Sequence, residues 1–544
     1  MDNQPATHPA RNSRARLRPW LMVLAVLLFV GFIRVRLLDM PLERDEGEYA
    51  YAGQLILQGV PPYELAYNMK LPGTYFAYAL GMAVFGQTAA GVHLTLLAVN
   101  ALTIVFVFLL TRKLFGTTAG LVGCISYGVM AVSPSVLGLA AHATHFVVLF
   151  AVPATLLLLR ADETKSAPIL FCSGLFYGLA FLMIQQGICF CLFGCFFLVW
   201  RAVQNKSLIS TGFAKSALTF GSGMVLPFAL FCLSSVFVGD FLRFWFWTVI
   251  YAHNYATVMP WREGMQHLAD HLQQTRYISQ WFWLLAAAGI ALGWLNKAAR
   301  KHTSIAVAFL LFSFLGTAAG LYFRGHYFVL VLPAFAVLIG MSVVFLQRTL
   351  NFSRMKNVLQ TLPLIFFGAI LSWVIFYQAQ AFFQLSARRL SENLYQWNPF
   401  VESIAVADHI RDNSAPGARI AVIGSEPEIY FLARRHSATG YIYTYALMEP
   451  HPAALDMQRE MIREIETNRP EYLVYVSHQL SWLFKPGSDR GILDWFKEYS
   501  GNGYEIEGFV HRNAAGEVEC IWDDAVKDHS SFGGEYIEVF RRKP

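Results

Sequence analysis

Residues 19–51 have the sequence PWLMVLAVLLFVGFIRVRLLDMPLERDEGEYAY, in which a long apolar run leads into a cluster of carboxylates. At about 1.5 Å per residue, the apolar part is long enough to cross a hydrocarbon core of ~30 Å as a helix. The cluster contains Glu43, Asp45, Glu46 and Glu48. Carboxylates beside a bilayer are costly unless they are paired or take part in function. The stretch therefore predicts a membrane protein whose chemistry lies just beyond its first span.

The composition supports the same class of protein. Hydrophobic residues make up 56% of the 544 residues and charged residues only 14%, whereas roughly a quarter of the residues in soluble domains are charged. Recurring apolar runs predict a polytopic α-helical membrane protein with eleven spans. The predicted spans are residues 19–38, 88–112, 117–138, 144–160, 167–185, 187–203, 215–238, 278–296, 303–322, 327–347 and 357–381. The net charge of +6 follows from Lys and Arg at span ends and does not indicate a nucleic-acid partner.

Charge also predicts the topology. The apolar segment Thr74–Phe85 is too short to cross a bilayer. If it lies flat on the surface, five basic clusters between the spans share the side of the basic N-terminus, as the positive-inside rule favours. The apolar run Trp20–Ile33 has no cleavage site after it, so we expect a retained first span. The prediction is a multi-pass protein of the bacterial inner membrane, with a cytoplasmic N-terminus and a periplasmic first loop at residues 39–87.

The tail from residue 385 differs in character, because charges, Gly and Pro become frequent. Arg419–Gly424 and Tyr472–Val476 have the pattern of buried strands, and strand signals return at residues 504–510 and 536–540. A helical pattern lies between the first two strands. We therefore predict two domains, a membrane domain at residues 1–384 and a periplasmic α/β domain at residues 385–544.

The carboxylate cluster has the residue types that acid–base chemistry needs. If the segment is helical, Asp45 and Tyr49 share a face. A carboxyl group shielded by protein at a membrane surface can have a raised pKa and act as a general base. The alternatives are a solvated acidic loop, or a carboxylate that caps a surface helix.

The motifs around this cluster resemble a known group of enzymes. Arg44-Asp45-Glu46-Gly47-Glu48-Tyr49, followed by Lys70-Leu71-Pro72-Gly73-Thr74-Tyr75-Phe76, is similar to the first extracytoplasmic loop of the GT-C membrane glycosyltransferases. The resemblance is to family 39 and its relatives, the dolichyl-phosphate-mannose–protein mannosyltransferases and the lipid A aminoarabinose transferase. Arg324-Gly325-His326-Tyr327-Phe328 is similar to a late motif of the bacterial members. Ser425–Phe431 and Tyr441-Ile442-Tyr443 resemble their extracytoplasmic domain.

The resemblance implies transfer of a sugar, with inversion, from a polyprenyl-phosphate donor to an envelope lipid, glycan or protein on the periplasmic face. Matching Arg44–Tyr49 to the family's motif implies that Asp45 is the general base and that Glu46 is a second catalytic residue. The remaining implied roles are donor phosphate binding for Lys70, Arg324 and His326, and substrate binding for Glu48, Tyr49 and Gln185. The loop residues His253, Asn254 and Tyr255 are candidates for contact with the acceptor.

Departures from the relatives leave other interpretations open. Met69 precedes Lys70, where the aminoarabinose transferases carry a glutamate, and Ala141–Phe146 lacks the acidic residue of many relatives. A divalent metal is therefore only a possibility, with His142 and His145 as candidate ligands beside Asp45 or Glu46. One alternative function is a transporter of a lipid-linked substrate, although internal repeats and midplane charges are missing. Another is a catalytically reduced homologue that binds lipid.

Overall fold

The structure is a computed structural model that describes residues 13–350, 359–396, 398–527 and 534–544. The first part of the chain is helical. Its helices are α1 (Ser13–Arg36), α2 (Arg44–Leu57), α3 (Gly73–Phe85), α4 (Ala89–Phe115), α5 (Thr117–Ala131), α6 (Ala143–Thr164), α7 (Ala167–Met183), α8 (Ile188–Gln204), α9 (Thr211–Val238), α10 (Phe241–Trp245), α11 (Ala252–Thr257), α12 (Trp261–Leu295), α13 (Arg300–Ala318), α14 (Leu332–Leu350) and α15 (Leu362–Tyr377). A π-helical turn, Phe246–Tyr251, joins α10 to α11, and we call residues 241–257 the strap.

Eight helical segments among the described residues are long and apolar enough to cross a membrane, and all eight overlap predicted spans. Three shorter apolar helices, α5, α7 and α15, coincide with the other three predicted spans. The polytopic helical architecture is confirmed, and eleven is an approximate helix count. The basic flank up to residue 12 and the first two residues of the predicted span 357–381 lie outside the described residues.

The predicted first loop, residues 39–87, is mostly helical. Glu43 and Glu46 form a reciprocal capping box that begins α2, since each side chain satisfies a backbone N–H at the helix start. Pro72 precedes α3, whose 13 residues extend about 20 Å. This helix is the segment predicted to lie flat.

The second part of the chain is an α/β domain. It contains α16 (Ala387–Tyr395), α17 (Phe400–Asn413), β1 (Arg419–Ile423), α18 (Glu428–Ala433), β2 (His436–Ser437), α19 (Tyr445–Met448), α20 (Ala454–Asn468), β3 (Tyr472–Ser477), α21 (Gln479–Trp482), α22 (Gly491–Gly503), β4 (Tyr504–Arg512), β5 (Val518–Trp522), α23 (Asp524–Lys527) and β6 (Tyr536–Arg542). The sheet order is β2-β1-β3-β6-β4-β5. The four predicted strands are present, and sequence analysis missed β2 and β5.

The two parts of the chain meet at α2. Gly47 lies against the start of α18 so closely that a Cβ atom there would stand 2.7 Å from the backbone nitrogen of Glu428. Arg44 extends into the α/β domain, where its Nη2 donates to Glu426 Oε1 at 2.8 Å and its Nε donates to the Ser425 carbonyl. The guanidinium also lies 5.4 Å from the ring centres of Phe400 and Tyr445. The α/β domain is therefore packed directly onto the carboxylate cluster.

Candidate functional site

A cavity of about 60 Å³ lies between the helical part and the α/β domain. Its walls come from the start of α2, residues 67–70, the strap, residues 324–327 and residues 443–449. Of the four carboxylates in the cluster, Asp45 lines this cavity. The capping box fixes the first turn of α2, and this fixes the direction in which Asp45 projects.

Asp45 is surrounded by groups that stabilise its ionised form. Its Oδ1 lies 3.5 Å from Lys70 Nζ and accepts from the Tyr443 hydroxyl at 3.3 Å. Its Oδ2 lies 3.8 Å from His142 Nδ1 and 3.9 Å from His326 Nε2. Burial alone would raise the pKa of Asp45, but the charge on Lys70 and the neighbouring imidazoles hold it well below its usual range. The raised pKa expected from the sequence is therefore wrong for this residue.

Glu46 and Glu48 are fully buried and face away from the cavity. Glu46 Oε1 accepts from the Ala141 amide at 2.6 Å and lies 3.3 Å from His93 Nε2. Glu48 Oε1 accepts from the Tyr75 hydroxyl at 2.6 Å, and burial raises the pKa of Glu48 to about 8. Both carboxylates thus tie α2 to its neighbours, and neither one reaches the space where a substrate would bind.

The raised pKa of Glu48 gives a pH-dependent prediction. Between the ordinary pKa of about 4.5 and the folded-state pKa of about 8, the folded protein holds a proton that the unfolded chain has released. Stability therefore falls as pH rises through this window. We expect Glu48→Gln to match the wild type near pH 4.5 and to be more stable by roughly 4 kcal/mol near pH 8. Thermal unfolding in detergent measures this difference. The exposed Glu263→Gln is the control, and a difference that is constant with pH would contradict the prediction.

Two cations line the cavity with Asp45. Burial lowers the pKa of Lys70, but the carboxylates of Asp45 and Glu48 raise it above its ordinary value, so Lys70 stays charged. Lys70 Nζ also donates to the Tyr49 hydroxyl at 3.0 Å. Asp45 and Tyr49 therefore lie on the same face of α2, as predicted, and both contact Lys70. Arg324 Nη2 donates to the Tyr255 hydroxyl at 3.1 Å. In the described part of the chain no carboxylate lies within ion-pair distance of Arg324.

The histidine pairing differs from the sequence expectation. The rings of His142 and His326 are stacked, with centroids 4.1 Å apart, and both nitrogens of His142 are buried without a hydrogen-bond partner. Ligand atoms of Asp45, His142 and His326 all lie within 4.8 Å of one another. His145 instead lies beside Asn100, 3.2 Å from its amide. The proposed pair of His142 and His145 is therefore not brought together.

Gln185 also has a different place from the one expected. Its amide donates to the Met69 carbonyl at 2.6 Å and to the Thr248 carbonyl at 3.1 Å. It joins the strap to the segment before Lys70, and it does not line the cavity.

Sequence analysis named Tyr255 of the strap, which lines the cavity, together with His253 and Asn254, which do not, but it gave no site role to the rest of the wall that the α/β domain and the strap contribute. Tyr443, Tyr445 and Glu449 come from the α/β domain, and Trp247 and Tyr251 come from the strap. The motif Tyr441-Ile442-Tyr443 was the available signal for this wall. It marked a resemblance to the extracytoplasmic domain but gave no role to Tyr443.

The chain is similar to known proteins in part of its sequence and in its fold. Residues 70–231 match the family described as dolichyl-phosphate-mannose-protein mannosyltransferase. The fold is similar to that of ArnT from Cupriavidus metallidurans bound to undecaprenyl phosphate, with a TM-score of 0.60 and 13% identity over 96% of this chain and 98% of that one. The chain has the GT-C fold. The GT-C resemblance expected from the sequence is thereby confirmed.

A second GT-C structure is also similar. The archaeal oligosaccharyltransferase AglB from Archaeoglobus fulgidus, in complex with an inhibitory peptide and a dolichol-phosphate, has a TM-score of 0.56 at 13% identity. The match covers 94% of this chain and 75% of that one. The oligosaccharyltransferase from the same organism in complex with zinc and sulfate has a TM-score of 0.53 at 13% identity over 92% of this chain and 72% of that one. No curated protein sequence matches the GT-C chain. The family match and the fold together support a multi-pass membrane glycosyltransferase.

Proposed function

We propose that the chain transfers a sugar from a polyprenyl-phosphate donor to an acceptor on the periplasmic face of the bacterial inner membrane. The observation that carries this proposal is the convergence of Asp45, Lys70 and Arg324 on one cavity. An ionised carboxylate can accept the proton of an acceptor, and two fixed cations can neutralise a lipid phosphate. The acceptor is an envelope lipid, glycan or protein.

The reaction is a single displacement at the anomeric carbon. The acceptor oxygen or nitrogen attacks from the face opposite the phosphate, and its proton passes to the Asp45 carboxylate. The bond between the anomeric carbon and the phosphate oxygen breaks, and its electron pair stays on the polyprenyl phosphate. One attack from the opposite face inverts the anomeric configuration. Lys70 and Arg324 stabilise the charge that develops on the phosphate.

The cavity must enlarge before both substrates can bind. Its volume of about 60 Å³ is well below the ~300–1,000 Å³ of typical ligand sites. Tyr255, on the strap, closes one side through its bond to Arg324 and stacks on Tyr322 at 4.6 Å. We propose that the donor phosphate takes the place of the Tyr255 hydroxyl on Arg324, which releases this part of the strap.

Comparison of cell envelopes tests the proposed function. Cells with and without this chain are compared by mass spectrometry of their envelope lipids, glycans and proteins, and the chain is then restored. We expect one sugar modification to disappear and to return with the wild-type chain. Identical envelopes in all three strains, with the protein present in the membrane, would contradict a transferase.

Arg324 provides a prediction about the donor. Arg324→Gln should raise the KM for the polyprenyl-phosphate donor by roughly 10–100-fold, because it removes charge-assisted hydrogen bonds to phosphate. Arg324→Lys should raise the KM less than Arg324→Gln does, since lysine keeps the positive charge but cannot form two parallel hydrogen bonds to the phosphate. Initial rates in reconstituted vesicles measure both variants. Arg262→Gln, at an exposed arginine of α12, is the control, and an unchanged KM for Arg324→Gln would remove Arg324 from the donor site.

We also propose that Asp45, His142 and His326 hold a divalent cation. Two imidazoles and a carboxylate are ligands that suit zinc. Within the described chain, neither nitrogen of His142 forms a hydrogen bond, and Nδ1 faces the carboxylates of Glu43 and Asp45 at 3.5 Å and 3.8 Å. A bound zinc ion would supply a Lewis acid that draws charge from a phosphate oxygen. Zinc would be held on the Oδ2 side of Asp45, which would leave Oδ1, beside Lys70, as the oxygen available to accept a proton.

The zinc content of the purified full-length protein tests this site. His326→Ala should weaken zinc binding at least about tenfold, because it removes one of three ligands. Burial lowers the pKa of His142, but Glu43 and Asp45 raise it above its ordinary value, so zinc must displace a proton and should bind more tightly as pH rises. Titration with metal analysis measures both effects. Equal zinc binding by the wild type, His326→Ala and the exposed control His253→Ala would exclude these ligands.

A further inference from the structure

A second cavity, of about 360 Å³, lies at the opposite end of the helical part. It is formed where α6 and α8 end and where α7 and α9 begin. The helix α6 starts next to His142 in the candidate site and ends at Thr164, 22 residues later, which places its ends about 33 Å apart. The cavity is therefore separate from the Asp45 site and lies at the other membrane surface.

This cavity carries an excess of positive charge. Its charged lining residues are three cations, Lys165, Arg201 and Lys215, and one carboxylate, Asp162. Asp162 accepts from Arg201 Nε at 2.8 Å and from Lys165 Nζ at 3.0 Å, so it holds two of the cations in place. Lys215 is exposed and makes no ion pair or hydrogen bond with the described part of the chain. The first turn of the 28-residue helix α9 also borders the cavity and adds the positive end of its dipole.

The rest of the lining is apolar. Leu158, Leu170, Phe197 and Leu198 form the inner wall. On the outer side of α9, Leu218 is 74% exposed, as expected of a helix that faces acyl chains. In the connection between α8 and α9, Leu208 and Ile209 are exposed next to the cavity. Cations and apolar surface thus meet at one membrane interface.

We propose that this cavity binds the headgroup of an anionic phospholipid. The phosphate would lie between Lys215, Arg201 and the start of α9, with the acyl chains along the apolar side of α9. Basic pockets between transmembrane helices at the cytoplasmic surface are suited to anionic headgroups, and each Lys or Arg contributes about fivefold in affinity. A free anion would use the cations but would gain nothing from the apolar wall. On the proposed topology, the lipid belongs to the cytoplasmic leaflet.

Lipid retention by the full-length protein tests the inference. The protein is reconstituted in phosphatidylcholine vesicles that contain phosphatidylglycerol as the minor lipid, extracted in mild detergent, and analysed by native mass spectrometry. We expect the extracted protein to retain a larger fraction of phosphatidylglycerol than the vesicles contain. Lys215→Gln should lower this retention about fivefold, and Lys215→Arg should preserve it. Lys297→Gln, at an exposed lysine outside the cavity, should have no effect.

Two outcomes would overturn the inference. One is equal retention of phosphatidylglycerol by the wild type and Lys215→Gln, with both variants showing the same thermal unfolding temperature. The other is loss of the lipid when inorganic phosphate is added, because this would mean that the cavity takes a free anion. Retention that withstands inorganic phosphate and depends on the charge at residue 215 is the expected result.

Discussion

Asp45→Asn should reduce sugar transfer by about 10²–10⁴-fold, the usual contribution of a positioned general base. Asparagine has nearly the same shape but cannot accept the acceptor's proton. It also removes the negative charge that Lys70 and the Tyr443 hydroxyl face. Transfer is measured with the full-length protein in vesicles, using the donor identified from the envelope comparison. Donor binding, measured separately, should change much less than the rate.

Asp39→Asn is the matched control, because Asp39 is exposed in the short segment between α1 and α2. The low pKa of Asp45 adds a further expectation about pH. A group with a depressed pKa stays ionised until the pH falls below its ordinary value of about 3.8. Protonation of Asp45 should therefore cause no loss of rate between about pH 8 and pH 5. Normal transfer by Asp45→Asn would show that Asp45 is not the base.

Arg44→Met should destabilise the protein by about 3–5 kcal/mol, the usual effect of breaking a buried ion pair. Glu426, its partner, is fully buried, and its other oxygen accepts from the Ser481 hydroxyl at 2.7 Å. Without Arg44 the Glu426 charge has no cation at ion-pair distance among the described residues. Since proteins are stable by only ~5–15 kcal/mol, we expect a large fall in unfolding temperature and in yield from the membrane.

Two variants distinguish this effect from a general loss of charge. Arg459→Met removes an arginine from an exposed ion pair with Asp456, and such pairs contribute at most ~1 kcal/mol. Arg44→Met combined with Glu426→Met replaces both charges with apolar groups and should recover part of the loss. Equal stability of Arg44→Met and Arg459→Met would show that the buried pair does not hold the two parts together.

Local features of the site could be predicted from the sequence, because short-range patterns encode them. The helix after Glu43 follows from its capping residues, and Lys70 lies beside Asp45 as the motif indicated. The wall from the α/β domain could not be predicted in this way. Tyr443 bonds to Asp45 across 398 residues of sequence, and a single sequence does not show which distant segments meet. The stacking of His142 on His326 is hidden for the same reason, and the sequence offers only the more local pair of His142 and His145 as candidate ligands.

The absence of a side chain at Gly47 limits how this chain and its relatives can exchange parts. A larger residue there would collide with the backbone at Glu428, so the two surfaces fit only as a matched pair. A chimera that joins the helical part of another GT-C protein to this α/β domain should therefore fold only if glycine is kept at the position of Gly47. An exchange of the α/β domain between such proteins would have to carry residues 43–49 along with it.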